Sequence, residues 1–163
     1  MRQPRKRLLI TSTLLIAAVV LVLTVGKAYF SVPGLWSAEA HQVRQIRLVP
    51  FETFVHYRVW WGPWLNFFGN IALFFPVGWL AHAWTGSVRK ALLAGVAFSC
   101  GIEVLQFVLA AGYSDLDDVL FNSLGAFLGA KAREKAREKT RASARARTAR
   151  ESAAASGTPT PSA

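Results

Sequence analysis

Four carboxylates lie in or beside stretches of the chain that are otherwise apolar. Glu103 is the sole charged residue in the stretch 91–114. Three aspartates follow it and lead into another uncharged stretch: Asp115, Asp117 and Asp118. A charged group inside a membrane costs roughly 3 kcal/mol or more unless it is paired, protonated or hydrated, so such acids are candidates for proton transfer or ligand binding. These four residues are therefore the first candidates for a functional site.

The uncharged stretches predict an all-α fold, a polytopic membrane helix bundle with four transmembrane helices. A helix needs about 20 apolar residues to cross roughly 30 Å of hydrocarbon. Blocks of that kind predict spans at residues 8–30, 64–84, 90–111 and 116–131. The fourth span is short, so a crossing must include the residues at its aspartate end and requires Lys131 and Arg133 to snorkel toward the membrane surface.

The basic residues predict the side of the membrane on which each connection lies. They gather in residues 1–7, around the connection 85–89 and in the tail 132–163. Short cytoplasmic segments retain positive charge, so both termini are expected in the cytoplasm of a multi-pass plasma-membrane protein. The outside then holds two connections, residues 31–63 and 112–115. The first is rich in aromatic residues, which favours an interfacial helix or a cap over the bundle.

Two interpretations remain open for the start of the chain and two for its end. Residues 8–25 have the apolar character of a signal peptide, but no small-residue cleavage site follows them, which favours an uncleaved anchor. The tail begins with a helix-forming repeat and ends in residues 152–163, whose composition predicts disorder. The formal net charge is +10. A basic tail suits nucleic acid, but attraction to anionic inner-leaflet lipid is simpler for a segment that leaves a membrane, so no nucleic-acid partner is expected.

Polar residues inside the predicted spans lie on shared helix faces. Ser99, Glu103 and Gln106 are spaced i, i+4, i+7 in the third span, and Asp118 and Asn122 share a face of the fourth. Asn66 and Asn70 lie one turn apart in the second. The predicted orientation puts six of these polar residues in the outer half of the membrane: Asn66, Asn70, Glu103, Gln106, Asp118 and Asn122. The predicted binding residues are Asn70, Glu103, Gln106, Asp115, Asp118 and Asn122.

Each of these residues also has a structural interpretation. Asn and Gln often link membrane helices, at about 0.6 kcal/mol each. Asp118 is placed to cap the fourth helix, and Asp115 and Asp117 are interpreted equally well as solvated loop residues. Linking helices does not require a charge, so Glu103 together with Asp118 favours a site.

Four ordered motifs resemble those of the VanZ-like family of bacterial membrane proteins, over about residues 48–130. They are LVPFET at 48–53, GNIALFFPVG at 69–78, Ser99 with EVLQ at 103–106, and DLDD at 115–118 with NSLG at 122–125. The family is named for a protein linked to resistance to the glycopeptide teicoplanin. The resemblance therefore implies a protein of the cell envelope. Members commonly place an Arg shortly before the Asp motif, where this chain has Gly112-Tyr113-Ser114. If that Arg binds a phosphate in the relatives, this chain either uses Arg44, Arg47 or Arg58 of the connection 31–63 for it or binds no phosphate.

Three functions from different classes fit these observations. In the first, the predicted binding residues in the outer half of the membrane bind a lipid head group or a lipid-linked envelope precursor. This binding alters the exposure of the cell surface to glycopeptides. In the second, Glu103 and Asp118 are catalytic residues acting on a lipid-linked substrate. A divalent cation suits the oxygen ligands, although the spacing defines no metal site and no cofactor is predicted. In the third, the bundle is a scaffold or transporter that forms a homo-oligomer through Gly125 and Gly129.

Overall fold

The computed structural model describes residues 3–33, 37–55 and 60–156, and over these residues the chain is a helical bundle with one small sheet. The helices are α1 (Gln3–Thr24), the single turn α2 (Glu52–Val55), α3 (Gly62–Thr85), α4 (Val88–Leu109) and α5 (Leu116–Ser156). The strands are β1 (Arg44–Arg47) and β2 (Gly112–Asp115), and short 3₁₀ turns occupy Gly26–Ala28 and Glu39–His41. The predicted all-α bundle is confirmed, with the two strands as an addition.

Three of the described helices, α1, α3 and α4, are long and apolar enough to cross a membrane. The chain is therefore a membrane protein by the character of its helices. The fourth long helix, α5, has 41 residues and a length of about 60 Å, twice the hydrocarbon thickness. Its uncharged part, residues 119–130, is the segment predicted to span, and that crossing stays a prediction.

Helix ends differ from the expected boundaries for local reasons. Gly86 and Ala110 both adopt left-handed backbone conformations, with φ of 66° and 52°, and they end α3 and α4. The Ala- and Arg-rich tail stays helical to Ser156, so the disorder predicted from residue 152 does not hold for residues 152–156. Alanine and arginine are strong helix formers, which explains the extension. Residues 1–2 and 157–163 lie outside the described part of the chain.

Glycines bring α3 and α5 into backbone contact. A side chain added at Gly125 would collide with the backbone of Ile71, and one added at Gly129 would collide with that of Phe75. On the facing helix, Gly78 lies equally close to the backbone of α5. Small residues allow this approach in membrane bundles. Gly125 and Gly129 therefore pack inside one chain, and the dimer contact suggested for them is not supported by this packing.

α3 begins, α4 ends and α5 begins at the same end of the bundle, which we call the outer end, following the predicted orientation. The connection between α1 and α3, which we call the outer connection, packs there through aromatic rings. Phe51 and Phe54 each lie 6.3 Å from the ring of Phe121 on α5, and Phe54 meets Trp64 edge to face at 5.4 Å. Residues 34–36 and 56–59 of this connection, Arg58 among them, lie outside the described residues.

The two strands tie that connection to the turn between α4 and α5. They pair in parallel, with Arg44 opposite Gly112 and Arg47 opposite Asp115. The ladder is short, and it fixes the position of one basic residue against the acid motif.

Candidate functional site

A polar cavity of about 260 Å³ lies at the outer end of the bundle. Its lining includes two acids, Asp115 and Asp118, and two amides, Asn66 and Gln106. Three basic residues complete the charged lining: Lys27, His41 and Arg47. A water molecule fills about 30 Å³ of liquid volume, so the cavity has room for a polar group rather than for a single ordered water. Charges of both signs thus share one space.

The β ladder positions Arg47. Its register sets Arg47 opposite Asp115, and the guanidinium carbon lies 3.7 Å from the centroid of the Tyr113 ring on β2. A planar guanidinium stacked on an aromatic face has its orientation fixed by that face. The cavity therefore contains an arginine held in place by a strand and a ring.

Asp118 is held by two amides from α3. Its Oδ1 accepts hydrogen bonds from Asn66 Nδ2 at 2.8 Å and from Asn70 Nδ2 at 2.7 Å. Asn66 and Asn70 lie in the second and third turns of α3, which meet the first turn of α5 here, so both amides hold the carboxylate from the α3 side. The proposed role of Asp118 as a helix cap is wrong, because its carboxylate is engaged by α3.

Asp115 caps α5 instead. Its Oδ1 accepts a hydrogen bond of 2.9 Å from the backbone N–H of Asp117, as an N-cap aspartate does. Its own N–H donates to Glu103 Oε2 at 2.8 Å. Burial, partly offset by the bond from Asp117, raises the pKa of the Asp115 carboxyl to about 6. Asp115 therefore connects the cavity to Glu103 on α4.

Asp117 is fully buried, which corrects the interpretation of Asp115 and Asp117 as solvated loop residues. Asp117 Oδ1 accepts a hydrogen bond of 2.6 Å from the backbone N–H of Phe51. Phe51 has a left-handed backbone, with φ of 62°, which is uncommon for a residue with a bulky side chain. The carboxylate stabilises this turn, so Asp117 anchors the outer connection rather than lining the cavity.

Gln106 contributes a buried acceptor. Its Nε2 donates to the carbonyl of Thr24 at 3.3 Å, while its Oε1 is buried and has no hydrogen-bond donor among the described residues. Gln106 is 7% exposed. A buried amide oxygen without a donor costs about 1–3 kcal/mol, so this atom is a candidate for contact with a bound group.

The structure separates two of the predicted binding residues from the cavity. Glu103 lies on the other side of Asp115, where it lines an apolar groove of about 250 Å³ together with Ile46, Leu48 and Phe107. Asn122 lies deeper, and its Nδ2 donates to Ser99 Oγ at 2.9 Å, which links α4 to α5. Of the predicted set, Gln106, Asp115 and Asp118 line the cavity and Asn70 supports it from behind.

Several cavity residues were absent from the predicted set. Lys27 lies in the 3₁₀ turn Gly26–Ala28 after α1, and His41 ends the 3₁₀ turn Glu39–His41. A charged residue at the end of an apolar helix is a signal visible in the sequence, but nothing in the spacing joins Lys27 to the Asp motif. Tyr113 carries no sequence signal beyond its place before that motif.

The described residues contain no group of three or more His, Cys, Asp or Glu side chains arranged to hold a metal ion. Asp115 and Asp118 share the cavity with Lys27 and Arg47, whose positive charge opposes that of a cation, and with His41.

The chain is thus a helical membrane protein with a charged cavity at one end of its bundle. A family model described as VanZ/LLP1 matches residues 13–132, which include most of α1, the whole cavity and the apolar part of α5. The chain belongs to this family. It is similar to Protein VanZ of Enterococcus faecium, with 32% identity over 95 residues, covering 56% of this chain and 53% of that protein. The chain thus spans about half the length of this curated relative. No solved structure matches it.

Proposed function

We propose that the outer cavity binds the polar head group of a membrane lipid or a lipid-linked envelope precursor, and that this binding alters the susceptibility of the cell to glycopeptides such as teicoplanin. The protein acts as a multi-pass protein of the plasma membrane, with both termini in the cytoplasm. The observation that carries the proposal is a cavity with charges of both signs at the outer end of three apolar helices.

The position of the cavity suits a lipid ligand. Its lining comes from the ends of apolar helices, where lipid head groups meet the protein surface. The apolar groove beside Glu103 lies across Asp115 from the cavity, and Leu48 and Val104 in its lining are exposed. A head group bound in the cavity would therefore have apolar protein surface beside it for its hydrocarbon chain.

Arg47 supports the proposal because it supplies the basic residue that this chain lacks before its Asp motif. Arg44 lies on the same strand but interacts elsewhere, since its guanidinium donates to the carbonyl of Val108 at 3.1 Å. Of these two arginines, Arg47 is the one that lines the cavity. An arginine beside the acid motif is thus provided by the outer connection.

The catalytic alternative has less geometric support. It needs Glu103 and Asp118 to act on one substrate, but Glu103 lines the groove and Asp118 lines the cavity, and Asp115 belongs to the lining of both. A carboxylate pair used in acid and base catalysis must reach the same reacting group. Binding requires only the cavity, and it is the function that we put forward.

The test is teicoplanin susceptibility in a glycopeptide-susceptible bacterial host expressing this chain. Wild type is expected to raise the minimal inhibitory concentration relative to the empty vector. Arg47→Gln and Asp118→Asn are expected to abolish that increase, and Arg44→Gln, the same change on the same strand outside the cavity, is expected to retain it. Membrane levels of every variant are matched by blotting. Equal susceptibility of wild type and empty vector would contradict the glycopeptide part of the proposal.

A further inference from the structure

The cavity contains cations that have no ion-pair partner in the described chain. The ion pairs within 4 Å among the described residues are Lys131 with Glu134 and Arg147 with Glu151, both on the tail. Lys27 and Arg47 take part in neither, although both line the cavity and are partly buried. Arginine is effectively always charged, and a partly buried cation is stabilised by a nearby anion. Lys27 attracts Asp118 and Arg47 attracts Asp115 through space, but neither cation contacts a carboxylate within 4 Å among the described residues, so a bound anion can contact both.

The same cavity also offers acceptors. Asp118 and Asp115 supply carboxylate oxygens, and the Oε1 atom of Gln106 is buried without a donor in the described chain. These atoms bind N–H or O–H donors and repel a second anion. Because Asn66 and Asn70 both donate to Oδ1 of Asp118, the carboxylate is fixed in orientation. A ligand must therefore carry donors as well as negative charge.

From these two halves we infer that the group bound in the cavity is a phosphate flanked by a hydrogen-bond donor, as in a phospholipid whose head group ends in an ammonium or a hydroxyl. Arg47 and Lys27 contact the phosphate, and Asp118 with Gln106 accepts from the donor. This inference rests on the proposed function, because it takes the cavity as a head-group site and specifies its chemistry.

The stacking of Arg47 on Tyr113 fits this assignment. A guanidinium whose face rests on a ring presents its N–H groups at its edge, which is the arrangement that binds two phosphate oxygens at once. Lys27 comes from a different element, after α1, so the two cations approach from separate sides. The recognition is of a phosphate in a fixed position rather than of a diffuse negative surface.

The test compares two phospholipids that differ only in the donor. Dioleoyl phosphatidylethanolamine has an ammonium with N–H donors, and dioleoyl phosphatidylcholine has three methyl groups in their place. The full chain, purified in detergent, is titrated with each lipid, and the fraction of protein that carries bound lipid is measured by native mass spectrometry. Wild type is expected to bind the ethanolamine lipid at least roughly tenfold more tightly, since a donor to a charged acceptor is lost in the choline lipid.

Variants separate the two halves of the site. Arg47→Gln is expected to weaken the binding of both lipids to a similar degree. Asp118→Asn is expected to reduce the preference for the ethanolamine lipid while the choline lipid still binds. Arg44→Gln is the matched control and should change neither. Thermal unfolding of each variant in the same detergent identifies any that fail to fold. If Asp118→Asn fails to fold, Gln106→Leu, which removes the buried Oε1 acceptor, is expected to reduce the same preference for the ethanolamine lipid.

The possible failures are distinguishable. Equal binding of the two lipids by wild type, abolished by Arg47→Gln, would overturn the donor half of this inference and leave the head-group site standing. Binding of neither lipid, or binding indifferent to Arg47→Gln, would overturn the proposed function as well. Soluble glycerophosphoethanolamine, added as a competitor, decides the source of the ligand: displacement supports a water-soluble phosphate ester, and retention supports a membrane lipid with the same head group.

Discussion

Arg47 and Asp115 face each other across the parallel β1–β2 ladder, although α3 and α4 both separate them in the sequence. This pairing brings the basic residue of the outer connection to the acid motif that opens α5. It also sets Tyr113 beneath the guanidinium. The relationship depends on two strands of four residues each, and it defines one wall of the polar cavity.

The first prediction concerns Asp117. Replacing it with Ala removes the acceptor of the Phe51 N–H, which then lies unsatisfied beneath the outer connection. We expect a loss of about 1–3 kcal/mol in the free energy of unfolding, seen as a lower midpoint in thermal unfolding of the purified protein. Glu138→Ala, at an exposed position on the tail of α5, is the control and should leave the midpoint unchanged. An unchanged midpoint for Asp117→Ala would show that the turn at Phe51 does not need this carboxylate.

The second prediction concerns the contact between α3 and α5. Gly129→Ala places a methyl group against the backbone of Phe75, and overpacking of this kind costs about 1–3 kcal/mol. Gly101→Ala is the matched control, because a methyl group there meets nothing within 4 Å. We expect a lower thermal midpoint for Gly129→Ala and an equal or higher one for Gly101→Ala, since Ala favours helix over Gly. If Gly129→Ala instead altered only oligomeric state, these glycines would be acting between chains.

The third prediction concerns pH. Asp115 faces Arg47 on β1, Glu103 on α4, and Asp117 and Asp118 on α5. Its pKa of about 6 in the folded protein exceeds the ordinary value of 3.8, so the folded state holds this proton more tightly than the unfolded state. Its contribution to stability is therefore present below about pH 4 and is lost as the pH rises to about 6.

The measurement is the thermal midpoint of wild type against Asp115→Asn over this range. The Asn oxygen retains the cap of α5 and does not titrate. We expect the stability of wild type to fall relative to the variant by up to about 3 kcal/mol between pH 4 and pH 6, and to change little above pH 7. Parallel curves for the two proteins would contradict a raised pKa at this position.

The fourth prediction concerns topology. In a Cys100→Ala background, a cysteine replacing the exposed Ala40 should react with an impermeant thiol reagent added to intact cells, and a cysteine replacing the exposed Ser143 should not. After permeabilisation both should react. Labelling of both positions in intact cells would contradict an even number of crossings and the cytoplasmic placement of the tail.

Much of the helical architecture was predictable from the sequence, because it depends on the length and polarity of continuous segments. The acid at Glu103 and the amide at Gln106 share a helix face, and their gathering at the same end as Asp118 followed from the order of the spans. The motifs also indicated the family correctly.

The remaining features depend on contacts between distant segments. Four residues such as Arg44–Arg47 have no alternation that marks them as a strand, and their partner lies beyond two helices. The burial of Asp117 depends on the backbone of Phe51, which the sequence does not bring near it. The position of Glu103 in the groove rather than in the cavity likewise depends on where Asp115 lies. The sequence predicted one cluster of polar residues, whereas the structure has a polar cavity and a separate apolar groove.

Whether the cavity binds a lipid head group can be tested directly from the lipid that stays bound to the protein when it is extracted from the membrane. Wild type, Arg47→Gln and Arg44→Gln are extracted in the same mild detergent from the same host, and their bound lipids are identified by native mass spectrometry. We expect a phosphate-bearing lipid to be retained by wild type and by Arg44→Gln, and to be depleted in Arg47→Gln at equal thermal stability. The same lipids in the same amounts on all three proteins would contradict it.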